Sequence, residues 1–447
     1  MSLDTDVDLL HLLRKSVEFA KSTTYYSRKF FDVDPVTLTL MSFGELPLTP
    51  SADFSADSLS FLVSDVPPDY IGITSGSTFG KQRSEPLFIF RTAEQRQSHS
   101  QLIEMIDRPR RGLAPLTMFF LTSNHGLSSS LPRRGCFAMP LEKSYHFEAI
   151  HKLLTTEFSF PGYASKVSAL TGPLNMLKLF TVMCMERGIS ADTFDIKRVF
   201  VGGWQLTETW SDLLCEYWGV DITEIYGVSE VPAMLSSRPS VHEGFVFHPG
   251  CHIEFVDDTR TDLSCGKPVW EGLATVVATA LYPLSAGQPL VRYVTDDIVN
   301  LRRPLGGEHA PEFDLVGRKK DCLMAGKSYA EGLLFAPLPF NNEMDKLHDI
   351  ARNDNPRATI VGIETRFGWQ KYRVNLVKDA RPMRIEIEIE LTWDPRIYPA
   401  DAKLFETAIS DLCLRLFPKL RDALSADTVV LDIRLFRPGA TSLAAVF

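Results

Sequence analysis

The stretch Thr74-Ser75-Gly76-Ser77-Thr78-Phe79-Gly80-Lys81 gathers hydroxyl side chains, glycines and a lysine into one short loop. Glycines leave backbone N–H groups free to line a concavity, hydroxyls add donors, and the lysine adds a cation. That set suits phosphate oxygens. The loop follows an extended run, Pro68 to Ile73, and no Ser or Thr comes directly after Lys81. It therefore departs from the common Gly-Lys-Ser/Thr phosphate loop. The same composition also fits a solvated Ser/Gly turn, and the stretch alone leaves both readings open.

Four later segments carry further chemistry. They are Gly202-Gly203-Trp204, Glu224-Ile225-Tyr226-Gly227-Val228-Ser229-Glu230, Val291-Arg292-Tyr293-Val294-Thr295-Asp296-Asp297, and Gly317-Arg318-Lys319-Lys320-Asp321. Taken singly they read as strand ends, a turn and a solvated linker. Their value lies in their order. His248, Cys251 and His252 have a spacing open to metal ligands, but no second cysteine pair lies nearby. A turn at Pro249-Gly250 is the simpler expectation.

The elements that must position these residues are visible in the periodicity. Residues 7–31 read as a helix with Leu9, Leu10, Leu12, Leu13, Val17, Phe19 and Ala20 packing one broad side. Leu116 to Leu121 is a short apolar run. Pro173 to Arg187 reads as a helix stopped by Gly188, and Val199 to Val201 as a buried strand. Thr207 can cap a helix carrying Trp210, Leu213, Leu214 and Tyr217, which ends at Gly219. Strand and helix alternate, so an α/β layered core is expected. Further on, Ile385, Ile387, Ile389 and Leu391 alternate with Glu386, Glu388 and Glu390, the pattern of a half-buried strand with an acidic outer face. Residues 401–417 read as a helix grouping Leu404, Phe405, Ile409, Leu412 and Leu416, and 429–436 as another strand. The expected organisation is a large α/β domain, 1–318, with β-sheets flanked by helices, and a small mobile α+β domain, 319–447, joined near Lys319-Lys320.

At 447 residues the chain is too long for one compact core. Its 45% hydrophobic and 23% charged residues are those of a soluble globular protein. A net charge of −9 argues against a nucleic-acid-coating surface. No apolar run approaches membrane-spanning length, and the acidic first residues lack the basic start of a secretion signal. The seven cysteines are scattered without a Cys-x-x-Cys pair. That usage points to reduced thiols and a cytoplasmic setting.

Taken together, the ordered segments resemble the adenylate-forming superfamily of acyl-CoA synthetases, adenylation domains and luciferases. The similarity is greatest to the phenylacetate-CoA ligase branch, through Tyr25-Tyr26, Phe43-Gly44-Glu45-Leu46-Pro47-Leu48-Thr49 and Pro289-Leu290-Val291-Arg292-Tyr293. The resemblance implies attack of a carboxylate on the α-phosphate of ATP, giving an acyl-adenylate and pyrophosphate. It implies that Thr74, Ser75, Gly76, Ser77, Thr78 and Lys81 hold the β- and γ-phosphates. Ser229 would meet the α-phosphate where the family usually has Thr, and Glu230 would hold Mg²⁺ as a hard carboxylate ligand. Tyr226, followed by Gly227, would stack on adenine over the floor of Gly202 and Gly203. Asp297 would accept from the ribose hydroxyls and Arg318 would reach the ribose or phosphate end. His125, in Ser123-Asn124-His125-Gly126, would stand near the acyl pocket, unless it is simply structural. Residues 171–180 would line that pocket, whose apolar character suits an aryl acid. Lys320 would be the hinge about which the small domain swings.

Three departures stand out. Phe79 interrupts the phosphate loop and is followed by Gln82-Arg83 rather than Pro-Lys; Trp204 follows the glycine pair; and no lysine follows Gly439 through Phe447, where the family has a Gly-Lys pair. Losing one preorganised donor of that type costs roughly 10²–10³ in rate. Two functional expectations result. One is an atypical aryl-acid adenylating enzyme using ATP and Mg²⁺. It would hand its product to CoA, a reductase or another acyl acceptor, in a niche such as antibiotic (phenazine-type) biosynthesis. The other is a catalytically impaired relative that binds nucleotide, aryl acid or a partner protein.

Overall fold

The computed structural model describes residues 6–74, 87–95, 97, 113–121, 135–141, 143–231, 234–257, 266–302, 311–326, 328–353 and 368–440. The stretch from Ser75 to Lys81 expected to hold phosphates, with Phe79, Gln82 and Arg83, lies outside these residues, as does His125. Thr74 ends a strand just before that loop.

The helix expected over 7–31 is two helices, α1 (Asp6–Lys21) and α2 (Thr24–Lys29). Thr23 breaks it. Its backbone bridges to Val63, and its Oγ1 accepts from the Tyr26 N–H at 3.2 Å. A threonine that can satisfy an orphan amide starts a new helix instead of continuing the old one. Leu13, Val17 and Ala20 are buried beneath, and Phe19 stacks on Tyr282 at 4.7 Å.

Strands β1 (Tyr70–Thr74) and β2 (Leu87–Arg91) form an antiparallel pair. The next seven strands make one sheet: β3 (Ala114–Leu121), β4 (Cys136–Pro140), β5 (Tyr163–Pro173), β6 (Arg198–Gly202), β7 (Ile222–Gly227), β8 (Leu235–Arg238) and β9 (Val246–Phe247). Their order is β4-β3-β5-β6-β7-β8-β9, parallel from β4 to β7 and antiparallel beyond. The parallel strands are linked by α3 (Ser144–Thr155), α4 (Leu174–Glu186) and α5 (Glu208–Trp218). Met118, Phe120, Leu170, Val199, Leu177, Phe180 and Leu214 share the core between sheet and helices, as crossover connections require. Helix α4 begins one residue after its N-cap Pro173, and α5 ends at Gly219 in a left-handed cap with φ 65°.

A second, antiparallel sheet holds β10 (Cys251–Asp257), β11 (Lys267–Pro268), β12 (Gly272–Ala280), β13 (Tyr293–Leu301) and β14 (Phe313–Arg318), ordered β11-β10-β12-β13-β14. Its inner face joins α1 and α2 through Leu13, Tyr26, Phe30, Val276 and Tyr293. Its frame includes the buried Arg292, which grips both carboxylate oxygens of Glu254 at 2.9 Å each. Among the described residues no cluster of His, Cys, Asp and Glu has metal-site geometry, and His248 Nε2 instead hydrogen-bonds Ser237 Oγ at 2.8 Å.

After Arg318 come a short hairpin, β15 (Leu323–Met324) with β16 (Leu333–Phe335), then α6 (Pro337–Met344), and the three-stranded sheet β17 (Tyr372–Val377), β18 (Met383–Glu390) and β19 (Val429–Phe436), covered by α7 (Pro399–Leu416). Ile385, Ile387 and Ile389 are fully buried, as the alternation demands. Two details differ from expectation. Glu390 is buried and paired with Lys371 at 3.0 Å, whereas Glu386 and Glu388 face outward. Leu404 is 70% exposed, because the buried stripe of α7 runs through Ile409, Leu412 and Cys413 and leaves Leu404 on its flank. Ile298 and Val316, from β13 and β14, share a core with these last elements.

Candidate active site

The carboxyl end of the parallel sheet and the edge of the antiparallel sheet face one cavity of about 330 Å³. Its walls include Gly203, Trp204, Tyr226, Gly227, Asp297 and Arg318. Open α/β sheets bind ligands at the carboxyl ends of their strands, and the volume falls in the range of small-molecule sites. Gly202 ends β6 against Ile225 of β7. A Cβ there would meet the Ile225 carbonyl oxygen at 2.9 Å, so only glycine lets these strands pair so closely at the cavity floor. Gly203 then turns the chain with φ 77°.

Tyr226 comes from β7, whereas Asp297 and Arg318 come from β13 and β14, where they are direct cross-strand partners. The Tyr226 hydroxyl donates to Asp297 Oδ2 at 2.7 Å, and Arg318 Nε stands 3.6 Å from Asp297 Oδ1. The carboxylate thus joins the two sheets. Burial pushes the Asp297 carboxyl above its ordinary range, against the pull of Arg318 and the Tyr226 hydrogen bond. Burial, reinforced by Asp297, raises the Tyr226 phenol well above its ordinary value, so it keeps its proton and acts as a donor. Burial works against the Arg318 charge, but Asp297 and Glu230 outweigh it and the net displacement is upward.

Glu230 lies beyond β7, half-buried. Burial raises its carboxyl, Arg318 and Arg91 favour its ionisation, and Asp297 opposes it. Ser229 is exposed, and its carbonyl accepts from the buried Arg91 Nη2 at 2.8 Å. Lys320 sits in a short 3₁₀ turn, Lys319–Asp321, directly after β14. Burial lowers its amine, with Asp321 opposing. Lys378 Nζ, from the turn after β17, donates to the carbonyls of Lys320 at 2.6 Å and Lys319 at 3.3 Å.

No motif or spacing marks the cavity's other wall. Glu224 and Arg238 form a buried ion pair at 2.5 Å, and Glu224 also accepts from the Leu206 N–H at 2.9 Å. The Arg238 guanidinium lies over the Phe245 ring at 4.7 Å. The residues after Gly203 are also tied to the α6 region. Gln205 Nε2 donates to the Leu338 carbonyl at 2.9 Å, Asn341 Nδ2 donates to Gln205 Oε1 at 2.9 Å, and Lys346 pairs with Glu208 at 2.8 Å. Thr207 is the N-cap of α5 as expected, but its hydroxyl donates to Asp345 rather than taking an amide of its own helix.

Comparison with solved structures gives the fold. A 2-hydroxyisobutyryl-CoA ligase in the postadenylation state, in complex with 2-HIB-AMP, superposes with a TM-score of 0.67 at 14% identity, covering 99% of this chain and 88% of that one. An acyl acid amido synthetase in complex with 2,4-DB gives 0.60 at 15% identity, covering 98% and 88%. The McyG A-PCP protein complexed with phenylalanyl-adenylate gives 0.50 at 13% identity, covering 83% and 62%. No protein-family model and no curated protein sequence matches the chain. The chain therefore has the fold of the adenylate-forming enzymes, with mixed sheets flanked by helices. Among the described residues no helix is long and apolar enough to cross a membrane.

Proposed function

We propose that this protein activates a carboxylic acid with ATP. A carboxylate oxygen bonds to the α-phosphorus while the bond to the β-phosphate oxygen breaks, giving an acyl-adenylate and pyrophosphate. An acceptor nucleophile then takes the acyl group and releases AMP, with CoA and a partner enzyme as the two candidate destinations. The observation that carries this reading is the meeting of Tyr226, Asp297 and Arg318 over Gly203, in a cavity of nucleotide-compatible size on an adenylate-forming fold.

The chain's own groups suit the parts of the nucleotide. Asp297 presents a carboxylate to accept from ribose hydroxyls, and charge-assisted bonds of this type are the stronger kind. Arg318 adds a cation beside it. Gly202 and Gly203 leave a side-chain-free floor, and Tyr226 supplies an aromatic wall. Thr74 ends its strand directly before the Ser/Thr/Gly loop, to which the β- and γ-phosphates are assigned together with Lys81. Ser229 is assigned to the α-phosphate and His125 to the acyl end. Glu230 suits Mg²⁺, because burial and Asp297 oppose its ionisation and a divalent cation would favour it. Bound Mg²⁺ would neutralise phosphate charge as it builds during displacement. We place the small domain at 319–447 and the hinge at Lys320.

The test is pyrophosphate release, or acid-dependent exchange of pyrophosphate into ATP, across a panel of aromatic and aliphatic acids. Release stimulated by an acid and lost in Asp297→Ala supports the reading. ATP–Mg²⁺ that raises the melting temperature without turnover of any acid indicates a nucleotide-binding protein and refutes the activity.

A further inference from the structure

Lys178 is the most isolated buried charge among the described residues of the parallel-sheet layer. It lies in the second turn of α4, 2% exposed. Its ammonium stands 4.3 Å from the ring centre of Trp210 and 5.5 Å from that of Trp369. Those ring faces are its partners; among the described residues its Nζ makes no hydrogen bond and no ion pair. Asp345 and Arg352 face it from beyond α6, but Asp345 is already held by Arg352 at 2.9 Å and by the Thr207 hydroxyl. One turn earlier on the same side of α4, Asn175 is also buried, and its Oδ1 has no partner. Orphan buried polar groups cost kilocalories and call for an explanation. Two on one helix face, one turn apart, point to a partner that none of the described residues supplies.

The topology places this pair close to the cavity. Pro173, which caps α4, pairs with Gly202 at the cavity floor, so the first turns of α4 stand beside the Gly202-Gly203 corner. Trp204 walls the cavity and meets Trp369 edge-on at 5.6 Å. Along these contacts two indoles, Trp204 and then Trp369, lie between the cavity and Lys178. The carboxylate to be activated belongs at the nucleotide, so whatever reaches Lys178 is the far end of the same acid.

We propose that Lys178 and Asn175 form the distal subsite of the acid pocket, and that the acid activated here carries a second carboxylate, which pairs with Lys178 and with the Asn175 amide. The amide presents its NH₂ to that carboxylate by a half-turn that exchanges its oxygen and nitrogen. Trp204 and Trp369 exclude water from the pair, which strengthens it. The inference rests on the adenylation reading and narrows its substrate to dicarboxylic acids.

Without ligand, burial lowers the Lys178 amine to about 7, against the pull of Asp345 and with help from Arg352. An arriving carboxylate favours the ammonium, so binding near neutral pH draws a proton from solution. Calorimetric titration in two buffers of different ionisation heat reads that uptake directly. The probes are matched pairs: benzoate against terephthalate, and hexanoate against adipate. In the wild type, at least one dicarboxylate is expected to bind roughly 10- to 100-fold more tightly than its monocarboxylate, the worth of one charge-assisted bond. Proton uptake should accompany it. In Lys178→Met both the preference and the uptake disappear, and the unliganded protein melts at the same or a higher temperature, since an unpaired buried charge has gone. Asn175→Leu should reduce the preference without abolishing the uptake. Absence of any dicarboxylate preference, its persistence in Lys178→Met, or a clear fall in that variant's melting temperature overturns the proposal. Dicarboxylate binding without pyrophosphate release refutes the activity alone. Pyrophosphate release with monocarboxylates and no dicarboxylate preference refutes the subsite alone.

Discussion

Replacing Asp297 by Asn isolates what the carboxylate contributes to ligand from what it costs the fold. The substitution keeps the shape and leaves an oxygen to accept from Tyr226, which now lies 2.7 Å away. It removes the charge that faces Arg318 at 3.6 Å. Two hydrogen bonds from ribose hydroxyls to a carboxylate are worth about 1.5–3 kcal/mol each, and to a neutral oxygen about 0.5–1.5 kcal/mol each. The loss is then about 2–3 kcal/mol, or roughly 30- to 150-fold in ATP affinity. The unliganded protein should respond in the opposite direction. The Asp297 carboxyl is displaced upward from its ordinary 3.8 by burial, so ionisation at neutral pH opposes folding. For a carboxyl raised in the folded state, this group's contribution is most favourable below 3.8, is lost as pH rises through the folded pKa, and is level above it. Asn abolishes that dependence, and its melting temperature at neutral pH should equal or exceed the wild type's. Calorimetric ATP–Mg²⁺ titrations and melting curves between pH 4 and 8 measure both arms. An unchanged ATP affinity, or a melting temperature several degrees lower without ligand, would refute the reasoning.

Arg238→Met leaves Glu224 buried without its cation and should cost about 3–5 kcal/mol; denaturant unfolding that shows no loss would mean the pair is not the strut it looks. Gly202→Ala forces a Cβ to 2.9 Å from the Ile225 carbonyl oxygen, and is expected to lower stability by about 1–3 kcal/mol and to weaken nucleotide binding in the same preparation. Lys378→Met removes both hydrogen bonds to the carbonyls of Lys319 and Lys320. Faster amide exchange across 319–322, with pyrophosphate release and acyl transfer altered by different factors, is the expected outcome; equal factors would argue against a hinge there.

Local pattern made much of this fold legible. The Ile385-Ile387-Ile389 alternation, the Pro173 start of α4 and the Gly219 stop of α5 stand where the sequence places them, because each follows from a short-range rule about periodicity or capping. Tertiary partners overrode the rest. Thr23 split a helix that periodicity makes continuous. Thr207 spent its hydroxyl on Asp345, and Glu390 turned inward because Lys371 and the Gly439 N–H both reach it. Of the expected site residues, Gly203, Tyr226, Gly227, Asp297 and Arg318 meet at one cavity, with Glu230 electrostatically coupled to them. The Glu224–Arg238 pair and the Lys178 enclosure were invisible beforehand. Each joins residues from different elements, and none of them has a distinctive spacing.

The segment from Gly203 to Glu208 is wall and fastening at once. One side borders the cavity, and the other is bonded to Leu338, Asn341 and Lys346. Filling the cavity and holding α6 in place are therefore two readings of a single equilibrium. A ligand that favours one setting of this strip tightens those bonds by the same factor by which the bonds tighten the ligand. Substitutions at Lys346, which lies outside the cavity lining, should then change apparent affinity, and ligand should in turn protect α6 from exchange. The strip makes occupancy and docking thermodynamic reciprocals.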